Sequence, residues 1–203
     1  ATARADPTAR GWEVATGRVA VILRGHTGPV VRLAFSPDGR RLATASWDGT
    51  ARIWNIGSAT AVAVLRHPGP LAAIAFSPDG THLAVAGGAR ADLLTGEMRI
   101  WDLASRKQVM LLRRLPPTDP LLMAHRRPLV ISEVAFSPHG GLLATAGGGD
   151  GTVRLWNAKT GRQVGARLYQ AQGGTPLLTV AFSADGRQLA TGGQDGVVRL
   201  LRV

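Results

Sequence analysis

"GHTGPVVRLAFSPDGRRLATASWDGTARIWNI", residues 25–56, decides the fold. An apolar, β-rich run ends at Phe35 and is followed by Ser-Pro-Asp-Gly. Proline presets its own φ, and glycine accepts the positive φ of a tight reversal. Leu-Ala-Thr-Ala then runs back to Asp48-Gly49, a turn whose twist suits antiparallel strands. A third strand ends at Trp54. Short strands between turn signals, without a helical period, predict an all-β chain.

The unit recurs. "IAFSPDGTHLAVAG", "VAFSPHGGLLATAG" and "VAFSADGRQLATGG" begin at Ile74, Val134 and Val180, and match "LAFSPDGRRLATAS" from Leu33. The strand-ending phenylalanines are Phe35, Phe76, Phe136 and Phe182. The third strands end at Trp54, Trp101, Trp156 and, in the last copy, Leu201. Asp-Gly returns at 150–151 and 195–196. Further apolar stretches, "AVAVLRH", "KQVMLLRRL" and "RQVGARLY", link consecutive copies and supply a fourth strand.

Four-stranded units of about 40–45 residues with Gly-His and Trp-Asp signals mark WD40 propeller blades. The chain resembles the WD40 repeat family over residues 12–203. The resemblance implies a β-propeller with four blades of four antiparallel strands, in a partial or open ring. The implied repeats span 19–56, 57–103, 104–158 and 159–203, the last lacking its own outer strand. Residues 1–18 form the tail of a preceding blade or a linker.

His26, Thr44, Asp48 and Trp54 invite a hydrolase reading. The resemblance instead implies a buried hydrogen-bond tetrad running from indole to hydroxyl to imidazole to carboxylate, a network that stabilises when every member is satisfied. The third copy carries His125, Thr145, Asp150 and Trp156. The second has Val85 for the threonine, and the fourth has Gly173 for the histidine and Leu201 for the tryptophan. A device missing members in half its copies is structural, so no enzyme, cofactor or metal site is expected. His82 and His139 lack metal-ligand spacing. "GGGDG" (147–151) leads into a strand and is not a phosphate loop.

Function in a propeller belongs to its loops. Two insertions interrupt the repeat, "GGARADLLTGE" (87–97) and "RRLPPTDPLLMAHRRP" (113–128), both expected on the top face. Arg90, Leu93, Leu94, Leu121, Leu122, Met123, Arg126 and Arg127 lie in them, together a candidate protein or peptide interface. Trp47, beside the first Asp-Gly turn, is the other candidate.

Composition narrows the remaining classes. The absence of cysteine excludes disulfides and thiolate metal sites and suits a reducing, cytoplasmic setting. No apolar run approaches the roughly 18–20 residues of a membrane helix, so a soluble chain with no membrane partner is expected. The net charge of +11 suggests a nucleic-acid-binding alternative. Yet Lys107 and Lys159 are the only lysines, and the arginines are scattered among many Ala, Gly and Pro. That composition fits a GC-rich, bacterial genome and a solvated basic surface. The leading expectation is a non-catalytic scaffold from a larger signalling or regulatory protein, with no small-molecule substrate. A regulatory module attached to a kinase or NTPase domain is the weaker alternative.

"GWEVATGRVAVILRGH" (11–26) reads as the close of one repeat, and no stretch before residue 11 is expected to supply the rest of it. Residues 19–24 should then form an outermost strand. Three arrangements would cover the open edges: missing blades of a longer chain, a homodimeric ring, or a four-bladed ring closed by residues 19–24.

Overall fold

The computed structural model describes residues 2–3, 6–88, 96–114 (3 and 113–114 as backbone only) and 130–203. Its strands form five antiparallel sheets in chain order. The first holds β1 (Thr2–Ala3), β2 (Thr8–Trp12) and β3 (Val19–Arg24); the second holds β4 (Val30–Phe35), β5 (Arg41–Ser46), β6 (Thr50–Asn55) and β7 (Thr60–Arg66). The third comprises β8 (Leu71–Phe76), β9 (His82–Gly88), β10 (Gly96–Asp102) and β11 (Lys107–Arg114). The fourth comprises β12 (Ile131–Phe136), β13 (Leu142–Gly147), β14 (Thr152–Asn157) and β15 (Tyr169–Gln170). The fifth has β16 (Leu177–Phe182), β17 (Gln188–Gly193) and β18 (Val198–Arg202). The first strands of consecutive four-stranded repeats lie against one another. An Arg32–Glu133 ion pair at 3.6 Å ties the second sheet directly to the fourth.

The second strand of each sheet shows why the sheets stack side by side. Side chains alternate between the two faces of a strand. Leu42 faces the first sheet, packing with Ala9, Leu23, Val30 and Trp54. Ala43 and Ala45 face the third, packing with Leu71, Ile74 and Leu83. The pattern repeats one sheet on, where Ala84 and Ala86 meet Ile131, Val134 and Leu143. It repeats again where Ala144 and Ala146 meet Leu177, Val180 and Leu189. Each sheet therefore sets a small face against its neighbour's large one. Every fully buried leucine in these layers stabilises by about 1.5–3 kcal/mol.

Residues before position 11 do supply part of a repeat, contrary to the expectation from sequence. "ATARADPTARGW" (1–12) parallels "ATASWDGTARIW" (43–54), with Asp-Pro in place of Asp-Gly. Thr2 pairs with Arg10 as Thr44 pairs with Arg52. Trp12 donates from Nε1 to Thr2 Oγ1 at 2.8 Å. Asp6 accepts from the Thr8 amide and hydroxyl at 3.0 and 2.7 Å, matching Asp48 and Thr50 at 2.8 and 2.6 Å. Pro7 stands where the Asp-Gly turns of other copies have glycine and removes that signal from this copy.

Other boundaries shift as well. β3 pairs with β2 and not with β18, so residues 19–24 do not close a four-bladed ring. The insertion placed at 87–97 is narrower, because Gly88 pairs with Gly96 and Gly87 with Glu97 within the sheet. A Cβ on Gly87 would collide with the Pro70 carbonyl oxygen, which is why the strand continues through glycine. Residues 113–114 likewise belong to β11. "RQVGARLY" does not form a continuous fourth strand. Gly165 adopts φ +65, and pairing is reduced to a bridge between Gln163 and Trp156 and the two residues of β15.

The fifth sheet shows its far face to solvent. Val198 and Leu200 are 72% and 70% exposed, whereas Ile53, at the position of Leu200 in the second sheet, is 2% exposed. This difference can be tested at the alanine positions. Ala84→Leu, between the third and fourth sheets, should cost about 1–3 kcal/mol through overpacking. Ala190→Leu, at the same place in the fifth sheet, should stay within about 0.5 kcal/mol. Urea unfolding measures both, and equal losses would contradict this packing.

Candidate interaction surface and the buried tetrad

In the second sheet the four singled-out residues join in one chain. Trp54 Nε1 donates to Thr44 Oγ1 at 3.0 Å. Thr44 Oγ1 lies 2.7 Å from His26 Nε2, and His26 Nδ1 lies 2.8 Å from Asp48 Oδ2. Burial lowers the His26 pKa despite the hydrogen bond and charge of Asp48. The imidazole is thus neutral near pH 7, donating from Nδ1 to Asp48 and accepting the Thr44 proton at Nε2. Burial works to raise the Asp48 pKa, but the Thr50 hydroxyl, the Thr27 amide and His26 outweigh it and bring it to about 2. Every proton in the chain has an acceptor. Thr44 is fully buried and His26 nearly so, leaving neither a nucleophile nor a free base for a substrate.

The other copies keep fragments. Trp156 donates to Thr145 at 3.0 Å, while Asp150 accepts from Thr152 and pairs with Arg154 at 3.7 Å. His125 lies outside the described residues. In the fifth sheet Thr191 turns to the Thr179 carbonyl at 2.9 Å. Leu201 occupies the tryptophan position there, and Asp195 pairs with Arg199.

The third sheet shows what a missing hydroxyl costs. Val85 pairs with Arg99 at the register where Thr44 pairs with Arg52. Trp101 Nε1 and His67 Nε2, the two atoms a threonine would join, are buried without a hydrogen-bond partner among the described residues. His67 is held instead through Nδ1 near the Gly69 backbone, at 3.1 Å from its carbonyl oxygen. Burial lowers its pKa.

A further repeat position escaped the reading of sequence. Arg10, Arg52, Arg99, Arg154 and Arg199 occupy one register of the third strand, each opposite the threonine position. Arg10, Arg154 and Arg199 pair with the turn aspartate four residues earlier, and Arg99 pairs with Glu97 at 3.3 Å. The scattered arginines therefore follow the repeat in part. The signal was present as Asp or Gly-Glu two to four residues before each Arg.

Of the candidate partner-binding residues, Trp47 is described. It follows Ser46 in the turn above the tetrad, with its amide donating to the Pro29 carbonyl at 3.0 Å. Its side chain is 60% exposed. Arg90, Leu93, Leu94, Leu121, Leu122, Met123, Arg126 and Arg127 lie outside the described residues. The strand ends that lead to them, Gly88, Gly96 and Arg114, pair at the same end of the third sheet. In the second sheet that end carries Thr50 and Arg66, next to the Trp47 turn.

Side-by-side antiparallel sheets of three or four strands, pinned by an indole–hydroxyl–imidazole–carboxylate chain, define a repeat protein of the β-propeller class. The chain belongs to the WD40 family: the model described as "WD domain, G-beta repeat" matches residues 17–55, 60–102, 119–157 and 166–201. Over 198 residues it is 30% identical to apoptotic protease-activating factor 1 of Rattus norvegicus, covering 98% of this chain and 15% of that protein. It is 28% identical to periodic tryptophan protein 2 of Arabidopsis thaliana over 198 residues, again 98% of this chain but 20% of that one. A 49-residue stretch, 24% of the chain, is 53% identical to the Neurospora crassa periodic tryptophan protein 2 homolog and covers 6% of it. The chain thus spans a small part of the length of these relatives. WD-repeat domains generally serve as protein-interaction scaffolds. No helix among the described residues is long and apolar enough to cross a membrane.

Mirror-image substitutions at the threonine position of the second and third sheets should have opposite effects. Val85→Thr should stabilise the chain by about 1 kcal/mol by giving Trp101 and His67 their shared partner. Thr44→Val should cost about 2–3 kcal/mol by stripping Trp54 and His26 together. Thermal and urea unfolding read both. A destabilising Val85→Thr would contradict the assignment.

Proposed function

We propose that this chain is a non-catalytic interaction scaffold that presents the face carrying Trp47 to a protein or peptide, within a larger regulatory protein. Trp47 carries the reading. It is a large, exposed aromatic side chain on a turn fixed from beneath by Asp48, and tryptophan at such a place is a frequent binding hot spot. The segments holding Arg90, Leu93, Leu94, Leu121, Leu122, Met123, Arg126 and Arg127 would extend that face. Consumption of Thr44, His26 and Asp48 in one another's hydrogen bonds supports a non-catalytic role. Pairing of four of the five third-strand arginines, Arg10, Arg99, Arg154 and Arg199, with carboxylates favours protein over nucleic acid as the partner.

Ring completion belongs to the same proposal. The bare Val198 and Leu200 are covered by a further blade, from the same protein or from a second copy of this chain. A cytoplasmic setting, in a bacterium with a GC-rich genome, fits the cysteine-free, arginine-rich composition.

Trp47→Ala combined with replacement of residues 89–95 by an Asn-Gly turn, which keeps the paired Gly88 and Gly96, tests the interaction face. Capture of partners from a lysate of the source organism should fall about tenfold, as loss of about 1.4 kcal/mol would give. The melting temperature should stay within a few degrees of that of the parent chain. Full capture by a folded variant would overturn the assignment.

A further inference from the structure

At the end of the molecule opposite Trp47 a cleft of about 600 Å³ opens between the third and fourth sheets. Asp79, His82, Val109, Met110, Phe136 and His139 are among its walls. The preceding inter-sheet boundary shows what fills such a place. Arg41, the first residue of β5, sets its guanidinium 5.5 Å from the centroid of the Phe76 ring. The same guanidinium donates from Nη2 to the Gly80 carbonyl at 2.9 Å. Phe76 is left only 9% exposed, whereas Phe35, the corresponding ring of the second sheet, is 53% exposed.

One sheet on, the register puts His82 in the place of Arg41 and Phe136 in the place of Phe76. Gly140 closes its turn to Ser137 as Gly80 does to Ser77, both at 2.8 Å. Imidazole is shorter than the arginine side chain, and His82 Nδ1 is turned to Thr81 Oγ1 at 2.7 Å. The plug of one boundary is thereby absent from the next, and Phe136 lines an open cleft.

The geometry points to this cleft as a docking site for an arginine side chain of a partner polypeptide, its guanidinium over Phe136 and donating to the Gly140 carbonyl. Arg41 makes both contacts at the neighbouring boundary, so the protein itself holds the template. Val109 and Met110 offer an apolar wall for the methylene stem. Asp79 supplies the opposite charge; hydrogen bonds from the Ser77 hydroxyl and the Thr81 amide bring its pKa to about 2, so it is ionised at neutral pH. Lys159 also lines the cleft and opposes any cation. Selection therefore rests on the flat guanidinium, which stacks and donates along its edge, where a lysine ammonium is a point charge.

The site is on the opposite face from Trp47, so it fails or stands independently of the proposed interaction face. An amide NMR titration of the whole chain with Ac-Ala-Arg-Ala-NH2 and its lysine counterpart tests it. The arginine peptide should shift the His139 and Gly140 amides and bind about fivefold tighter than the lysine peptide. His82→Arg should fill the cleft from within and abolish the response, with a melting temperature equal to or above that of the parent chain. Phe136→Leu should weaken binding about fivefold while leaving an apolar residue in place. Absence of shifts, equal binding of the two peptides, or an undiminished response in His82→Arg would each overturn the assignment.

Discussion

The structure depends on a packing constraint set by one alternating strand. A strand reading Leu-Ala-Thr-Ala buries leucine on one side and alanine on the other, and no single sheet can finish both faces. Leu42 needs the first sheet, and Ala43 needs the third. Stability is therefore shared between neighbours, as in other repeat architectures. The exposed Val198 and Leu200 show the same constraint unmet, on a sheet whose far face no described residue covers.

Polar chemistry is layered onto this packing. The tetrad of the second sheet places a neutral histidine between a hydroxyl and a carboxylate, with each proton accounted for. Other sheets retain parts of the chain, and the packing persists around them. Where Val85 breaks the network, the cost is two buried nitrogens without partners among the described residues. The turn aspartates also have a simpler role, capping the amide two residues on, as Asp6, Asp48, Asp150 and Asp195 all do. That role survives loss of the histidine or the tryptophan.

The fold was legible because its turns are written in glycine, proline and aspartate, and its strands in period-two alternation. The second-sheet tetrad could be named from spacing for the same reason. The strand at 19–24 and the strand end at Trp12 were legible, but what precedes them was not, because Pro7 replaces the turn glycine and Gly11 replaces an apolar strand residue, leaving Thr2, Asp6, Thr8 and Arg10 as markers. The broken outer strand of the fourth sheet was missed because "RQVGARLY" has strand composition, and only the positive φ of Gly165 reveals the interruption. The cleft beside Phe136 could not be read from motifs at all. It arises from the length of one side chain, His82 against Arg41, at a position the repeat does not otherwise mark.

The two proposed sites follow the same division between shared scaffold and local departure. The sheets hold Trp47 outward at one end and an open inter-sheet cleft at the other, while buried polar groups serve the fold. Native-state hydrogen exchange tests the central claim, that each sheet is stabilised by the neighbours on both faces. Amides of β9, packed on both sides, should exchange only on global unfolding, and those of β17 and β18 through a lower-energy local opening. Equal protection across the third and fifth sheets would contradict it.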